Sequence, residues 1–441
     1  MPGDGVARDS LLAELFGHQG ERNPSKEDEE WSRQRSAELR QFEEMGFTQI
    51  RAEPGVEAVR LKHQQAGETT HPVDVSKAFH RAVLLPQCND FAGAGSHNFN
   101  RDVQRLLRGE RREAERAMRQ LGMWAVLGIW AVLCLGGAIY ASWQGYGGQA
   151  FAATLTTFAF LLLVTLLLAA RGVAEGISNR FGPGGGMFLG VCLFLFYIVY
   201  LLGTGGFQLT RVAVMAGLIF VPLGLAVWAG NAAPGAWQDF LVIVGIWLFV
   251  KFGPSHWLWP YPVGRLAYVM TVLAAVNVAL ASFLLVRRAK GVGYCLGWGK
   301  GWGLYVLGSF LFFACIAIPS GISMYFIAFE PHWSSWSTYA GLSLAILMFT
   351  AWPEELLFRG LLQNFLARAS KSDLAGWWTA SVLFGFAHIT NLGFPNWRYV
   401  ILAAVAGLFY GWTWRKTGSI FASALVHAAV DATWHFLFRT I

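Results

Sequence analysis

The chain has 441 residues, of which 55% are hydrophobic and only 14% charged, with a mean hydropathy of +0.42. Residues 1–119 hold 18 Lys/Arg and 20 Asp/Glu, a net of −2, whereas residues 120–441 hold 16 and 7, a net of +9. That division excludes a single water-soluble enzyme, a disordered chain and a secreted disulfide scaffold, and describes a soluble N-terminal region followed by a polytopic membrane domain.

Residues 1–119 read as a small, mainly helical cytoplasmic region. The opening MPGDGVARDS has no apolar core, so the membrane segments themselves are expected to direct insertion. Residues 26–46 pattern as a charged helix and 48–62 as a short hairpin. No catalytic motif occurs here. The region ends in an arginine cluster, Arg101, Arg105, Arg108, Arg111, Arg112, Arg116 and Arg119. Asp102, Glu110, Glu113 and Glu115 are interleaved with it, and it abuts the first apolar run. It therefore reads as a juxtamembrane helix drawn to anionic lipid, not as a nucleic-acid site.

A membrane-crossing helix needs about 20 mainly apolar residues. Such runs lie near 122–142, 151–170, 186–203, 212–230, 240–258, 266–286, 303–325, 339–366, 376–391, 398–414 and 419–438, about eleven spans. The fifth is the weakest, because Lys251 and Pro254 interrupt it. Alternation from a cytoplasmic N-terminus places Arg171/Arg180, Arg287/Arg288/Lys290/Lys300, Arg368/Lys371 and Arg415/Lys416 on the cytoplasmic side. Arg211, Arg265 and Arg398 fall on the other side. The expected fold class is thus all-α: a polytopic transmembrane helical bundle in the plasma (bacterial inner) membrane, with the small soluble region in front.

The isolated cysteines Cys88, Cys134, Cys192, Cys295 and Cys315 form no C-x-x-C pair and read as small hydrophobes. FGPGGG (181–186) and GWGKGWG (297–303) lack the spacing of a phosphate-binding loop and read as loops and close backbone contacts. No internal repeat is evident, which disfavours a transporter built from inverted halves.

Ionisable groups inside a membrane need a partner or a job. Residues 120–441 contain seven acids, of which Glu175, Asp239, Glu330 and Asp373 fall in expected loops. Glu354, Glu355 and Asp431 fall in or at the ends of apolar helices, and three of the five histidines, His388, His427 and His435, share those C-terminal helices. Glu355 and Arg359 stand i,i+4 with the acid first, the favourable order for an ion pair. Glu354 points about 100° away and has no local partner, and a carboxylate in a poorly hydrated pocket suits a general base. Phe384 and His388 are one turn apart, so the ring can buttress the imidazole. His427 and Asp431 are also i,i+4, and that carboxylate can orient the ring.

In this order, E-E-x-x-x-R, F-x-x-x-H and H-x-x-x-D resemble the CAAX prenyl endopeptidase and bacteriocin-processing (CPBP, or Abi) family of intramembrane proteases. The resemblance covers roughly 300–438 and divides the chain into the soluble region 1–119, additional transmembrane helices 120–300 and a protease core 301–441. It implies that Glu354 activates a water shared with His388, that His427 and Asp431 stabilise the oxyanion, and that Glu355, Arg359 and Phe384 brace the site. An ionised Asp431 would repel an oxyanion, so it is expected either to orient His427 or to be protonated. The implied activity is hydrolysis of a peptide bond in a membrane-associated protein or peptide, with lipid and that substrate as partners and no cofactor. A zinc site from His388, His427, Asp431 and His435, completed by Glu354, competes and is not favoured. A non-proteolytic transporter, immunity factor or scaffold on the same fold is the alternative.

Overall fold

The computed structural model describes residues 122–261 and 265–441. The charged helix, the hairpin and the arginine cluster expected before residue 120 lie outside the described residues. A helix stands at each of the eleven apolar runs. The first six elements are α1 (Gly122–Trp143), α2 (Gly148–Ala169), α3 (Val173–Phe181), α4 (Pro183–Gly203), α5 (Leu209–Ala229) and α6 (Trp237–Phe252). The helix α7 follows as Arg265–Leu280 and continues through a π-helical stretch, Ala281–Val286. Then come α8 (Trp302–Ser323), β1 (Ile327–Phe329), α9 (Trp336–Ser370), α10 (Asp373–Phe386), α11 (Trp397–Thr417), α12 (Ile420–Leu437) and β2 (Phe438–Thr440).

Eight of these helices are long and apolar enough to cross a membrane. The protein is an integral membrane protein. Among the eleven runs, α6 and α10 have only 16 and 14 residues, and α11 carries Arg398, Arg415 and Lys416. The strands form one antiparallel pair, with Ala328 opposite Arg439, that ties the end of α8 to the end of α12. The amphipathic α3 does not match an apolar run; Gly172, at φ +79°, turns the chain into it.

The centre of the bundle is α7, whose apolar stretch is 89% buried against 50% for α2. A helix enclosed on all sides must satisfy its polar groups internally. Asn277 does so by donating to the carbonyls of Leu161 and Leu273, both at 2.9 Å, which joins α7 to α2. Asp239 corrects the loop expectation: it sits buried in the first turn of α6, where the helix dipole favours an acid. Its carboxylate takes a two-pronged grip from Arg287 at 2.8 and 2.9 Å. Glu175 and Asp373 likewise begin α3 and α10.

Arg368, Arg415 and Lys416, which the charge pattern assigns to one side, line a single cavity of about 460 Å³ at the ends of α9 and α11. Close packing of α10 on α11 depends on Gly385. A Cβ there would lie 2.6 Å from the Val400 carbonyl oxygen and 2.8 Å from the Ala404 Cβ. Gly385→Ala is therefore expected to destabilise the protein by about 1–3 kcal/mol, read as a lowered midpoint of thermal unfolding in detergent. An unchanged midpoint would show that these helices can separate without cost.

Candidate active site

The site begins with an irregularity in α9. Between its α-helical ends, Trp336–Ile346 and Asn364–Ser370, two π-helical stretches, Leu347–Ala351 and Leu356–Gln363, flank the short α segment Trp352–Glu355. Pro353 has no N–H and its ring would collide with the carbonyl four residues back, at Phe349. A widened turn before it relieves that conflict. The two adjacent glutamates leave this segment in different directions. Glu355 is wholly buried, whereas Glu354 is 30% exposed on the wall of a cavity.

Glu355 is held by two hydrogen-bonding side chains and an ion pair. Its Oε1 lies 3.0 Å from His427 Nδ1, and its Oε2 accepts from Ser423 Oγ at 2.6 Å and faces Arg359 Nε at 3.1 Å. The Arg359 guanidinium is equally buried and rests on the Phe384 ring, 4.6 Å from its centroid, with Tyr410 at 5.6 Å. Flat aromatic faces stabilise a cation that is cut off from water. This assembly joins α9, α10, α11 and α12.

His427 is the hub. With Nδ1 directed at Glu355, its Nε2 faces Asp431 Oδ2 at 3.5 Å and Glu354 Oε2 at 3.9 Å. The ring stacks on Tyr410 at 4.5 Å and 16°, so it cannot turn without disturbing a buried aromatic. His388 comes from the turn just after α10, which ends two residues before the histidine; the chain turns again at Leu392 (φ +56°) and Gly393 (φ +110°). Its Nδ1 stands 2.8 Å from the Phe384 carbonyl oxygen. A carbonyl only accepts, so Nδ1 carries the hydrogen and Nε2 keeps a lone pair. Phe384 contacts both imidazoles, at 4.8 Å for His388 and 5.7 Å for His427.

Glu354 and His388 line a cavity of about 410 Å³ with largely apolar walls supplied by α6, α7 and α9. Its other polar contributors include Lys251, Tyr268 and Asn391. The fold thus gathers Glu354, Glu355, Arg359, Phe384, His388, His427 and Asp431 into one centre. His435 is apart from it: the residue is exposed near the end of α12, with its ring against Phe436. Among the described residues no group of three His, Cys, Asp or Glu side chains is placed to hold a metal ion.

Two participants escape the sequence patterns. Ser423 lies one turn before His427, so the stripe is in fact S-x-x-x-H-x-x-x-D. Lys251, noted only as an interruption of an apolar run, lines the cavity with Glu354. An ionisable residue in an apolar segment was the available signal.

Fold and site together define a polytopic membrane protein with a carboxylate–imidazole centre enclosed by its helices. Residues 335–433 match the family model of type II CAAX prenyl endopeptidases, Rce1-like, the family that the ordered motifs resemble. The matched stretch contains every site residue from Glu354 to Asp431, and the likeness is to a family of CAAX-type intramembrane proteases. No curated protein and no solved structure matches the chain.

Proposed function

We propose that the protein is an intramembrane endopeptidase in which Glu354, with His388, activates the attacking water. The observation that carries this reading is the divergence of the two adjacent glutamates. Glu355 is engaged by three side chains, while Glu354, 3.9 Å from His427 Nε2, makes no hydrogen bond among the described residues and lines an apolar cavity with His388. A water held between that carboxylate and the His388 lone pair would find an acceptor for each of its hydrogens.

In this mechanism Glu354 takes a proton from the water as its oxygen bonds to the peptide carbonyl carbon. The carbonyl oxygen becomes an oxyanion, and His427 supplies the facing Nε2–H as an imidazolium, both of its ring nitrogens being directed at carboxylates, Nδ1 at Glu355 and Nε2 at Asp431. Collapse of the tetrahedral intermediate breaks the C–N bond, and the proton on Glu354 passes to the leaving amine. One water is consumed, and one acid and one amine are formed. Asp431 orients His427; the 3.5 Å separation suits that role. The apolar walls favour a substrate segment rich in apolar side chains, presented by a membrane-associated protein or peptide. The N-terminus is assigned to the cytoplasm from the arginine cluster, and the substrate reaches the site from that leaflet.

The test uses purified full-length protein in detergent with a panel of internally quenched peptides, with and without a strong chelator. Cleavage is expected, at an initial rate changed less than twofold by the chelator. Loss of cleavage on chelation, restored by zinc, would replace the glutamate mechanism with a metal-dependent one.

A further inference from the structure

Lys251 is the cation of the site that the matched segment does not contain. It lies in the last turn of α6, half-buried, and its Nζ donates to Asn391 Oδ1. Asn391 belongs to the turn that carries His388, where its N–H donates to the His388 carbonyl at 2.9 Å. One donor of the ammonium therefore anchors it to the catalytic turn. Its other two have no partner among the described residues, and no described carboxylate pairs with it. Two shielded arginines of the described residues have an acid beside them, Arg287 with Asp239 and Arg359 with Glu355. Lys251 has none within ion-pair distance while lining the cavity whose other walls are mainly apolar.

A cation on the wall of an apolar cavity is most strongly attracted by an anion that enters with an apolar body. We infer that Lys251 is a positioning residue that binds a carboxylate of the substrate. This deepens the endopeptidase reading and rests on it for the word substrate. A carboxylate has two sources in a peptide, its free C-terminus or an Asp or Glu side chain. Either would be pinned at the Lys251–Asn391 pair, which fixes how far into the cavity the chain extends and hence which bond meets Glu354. Because α6 lies outside the matched stretch, this selectivity is supplied by helices particular to the 120–300 region.

Binding separates this inference from the hydrolase reading. Full-length Glu354→Gln protein in detergent is titrated with fluorescent apolar peptides, and polarisation reports affinity. Matched peptides end in a free acid or an amide, and amidated peptides carry Glu or Gln at each internal position. The acid is expected to bind about tenfold or more tightly than its neutral partner, and Lys251→Met is expected to erase that preference. Lys251→Arg should retain it, which guards against a merely misfolded variant, and thermal unfolding checks Lys251→Met directly. Preference at the terminus or at an internal position identifies the source. Equal binding of acid and neutral peptides, no binding of either, or a preference that survives in Lys251→Met overturns the inference. In active protein the loss should fall on KM; a fall in kcat alone would make Lys251 a counter-charge to Glu354 and overturn it too. Carboxylate-selective binding without cleavage in the active protein would sink the hydrolase reading and leave the anchor standing.

Discussion

Glu354→Gln is expected to lower peptide hydrolysis by about a hundred- to ten-thousand-fold, the usual contribution of a general base. Glutamine has the same length and shape but cannot take a proton from water. The side chain is partly exposed to the cavity and its nearest charged neighbour is His427 at 3.9 Å, so little packing depends on its charge. Stability should therefore stay within about 0.5 kcal/mol of the parent protein. Turnover of a cleaved peptide and the unfolding midpoint, measured on one preparation, check the two halves of the prediction. Full activity in the variant would remove Glu354 from the chemistry. Loss of both fold and activity would instead make it a structural acid.

Arg359→Met should have the opposite signature. It leaves Glu355 wholly buried with its guanidinium partner gone, and breaking such a pair costs about 3–5 kcal/mol. Unfolding in a detergent–denaturant titration is expected to shift by that amount. The double variant Glu355→Leu/Arg359→Met removes both charges and should recover part of the lost stability, the rest staying lost with the acceptor of His427 and Ser423, and the difference is read as the coupling energy of a double-mutant cycle. Activity should not return with it. His427 would have lost the acceptor that holds its Nδ1, so its Nε2 would no longer be aimed toward Glu354 and Asp431. A double variant as unstable as the single one would show that the pair is not the source of the loss. An active double variant would release Glu355 from its orienting role.

The two outcomes also measure how far local sequence spacing reaches. The Glu355–Arg359 pair is legible because one helical turn brings i and i+4 together whatever surrounds them. The same is true of Phe384 with His388 and of His427 with Asp431. Each apolar run is legible as a helix because in a lipid environment a chain must bond its own backbone. The end of α10 was less so. Nothing in Phe386 or Ala387 stops a helix, yet the α-helix ends there and His388 falls in the turn that follows.

Partners far apart in the chain are a different matter. That His427 Nδ1 meets Glu355 and that Ser423 donates to it depend on the packing of α12 on α9, which no spacing encodes. Lys251 illustrates the limit most plainly. In the sequence it weakens an apolar run, and in the fold it stands at the cavity of Glu354, more than a hundred positions away.

What the amino-acid sequence by itself determined is therefore the polytopic helical class, the short-range pairs and the resemblance of the C-terminal part to CAAX-type proteases. These rest on hydropathy and helical periodicity, which act over one or a few turns. Tertiary structure alone decided which glutamate is engaged and which lines the cavity, where His435 lies, and that helices before residue 300 wall the cavity. The reason is physical: burial and electrostatic environment are set by side chains that close packing brings in from distant helices.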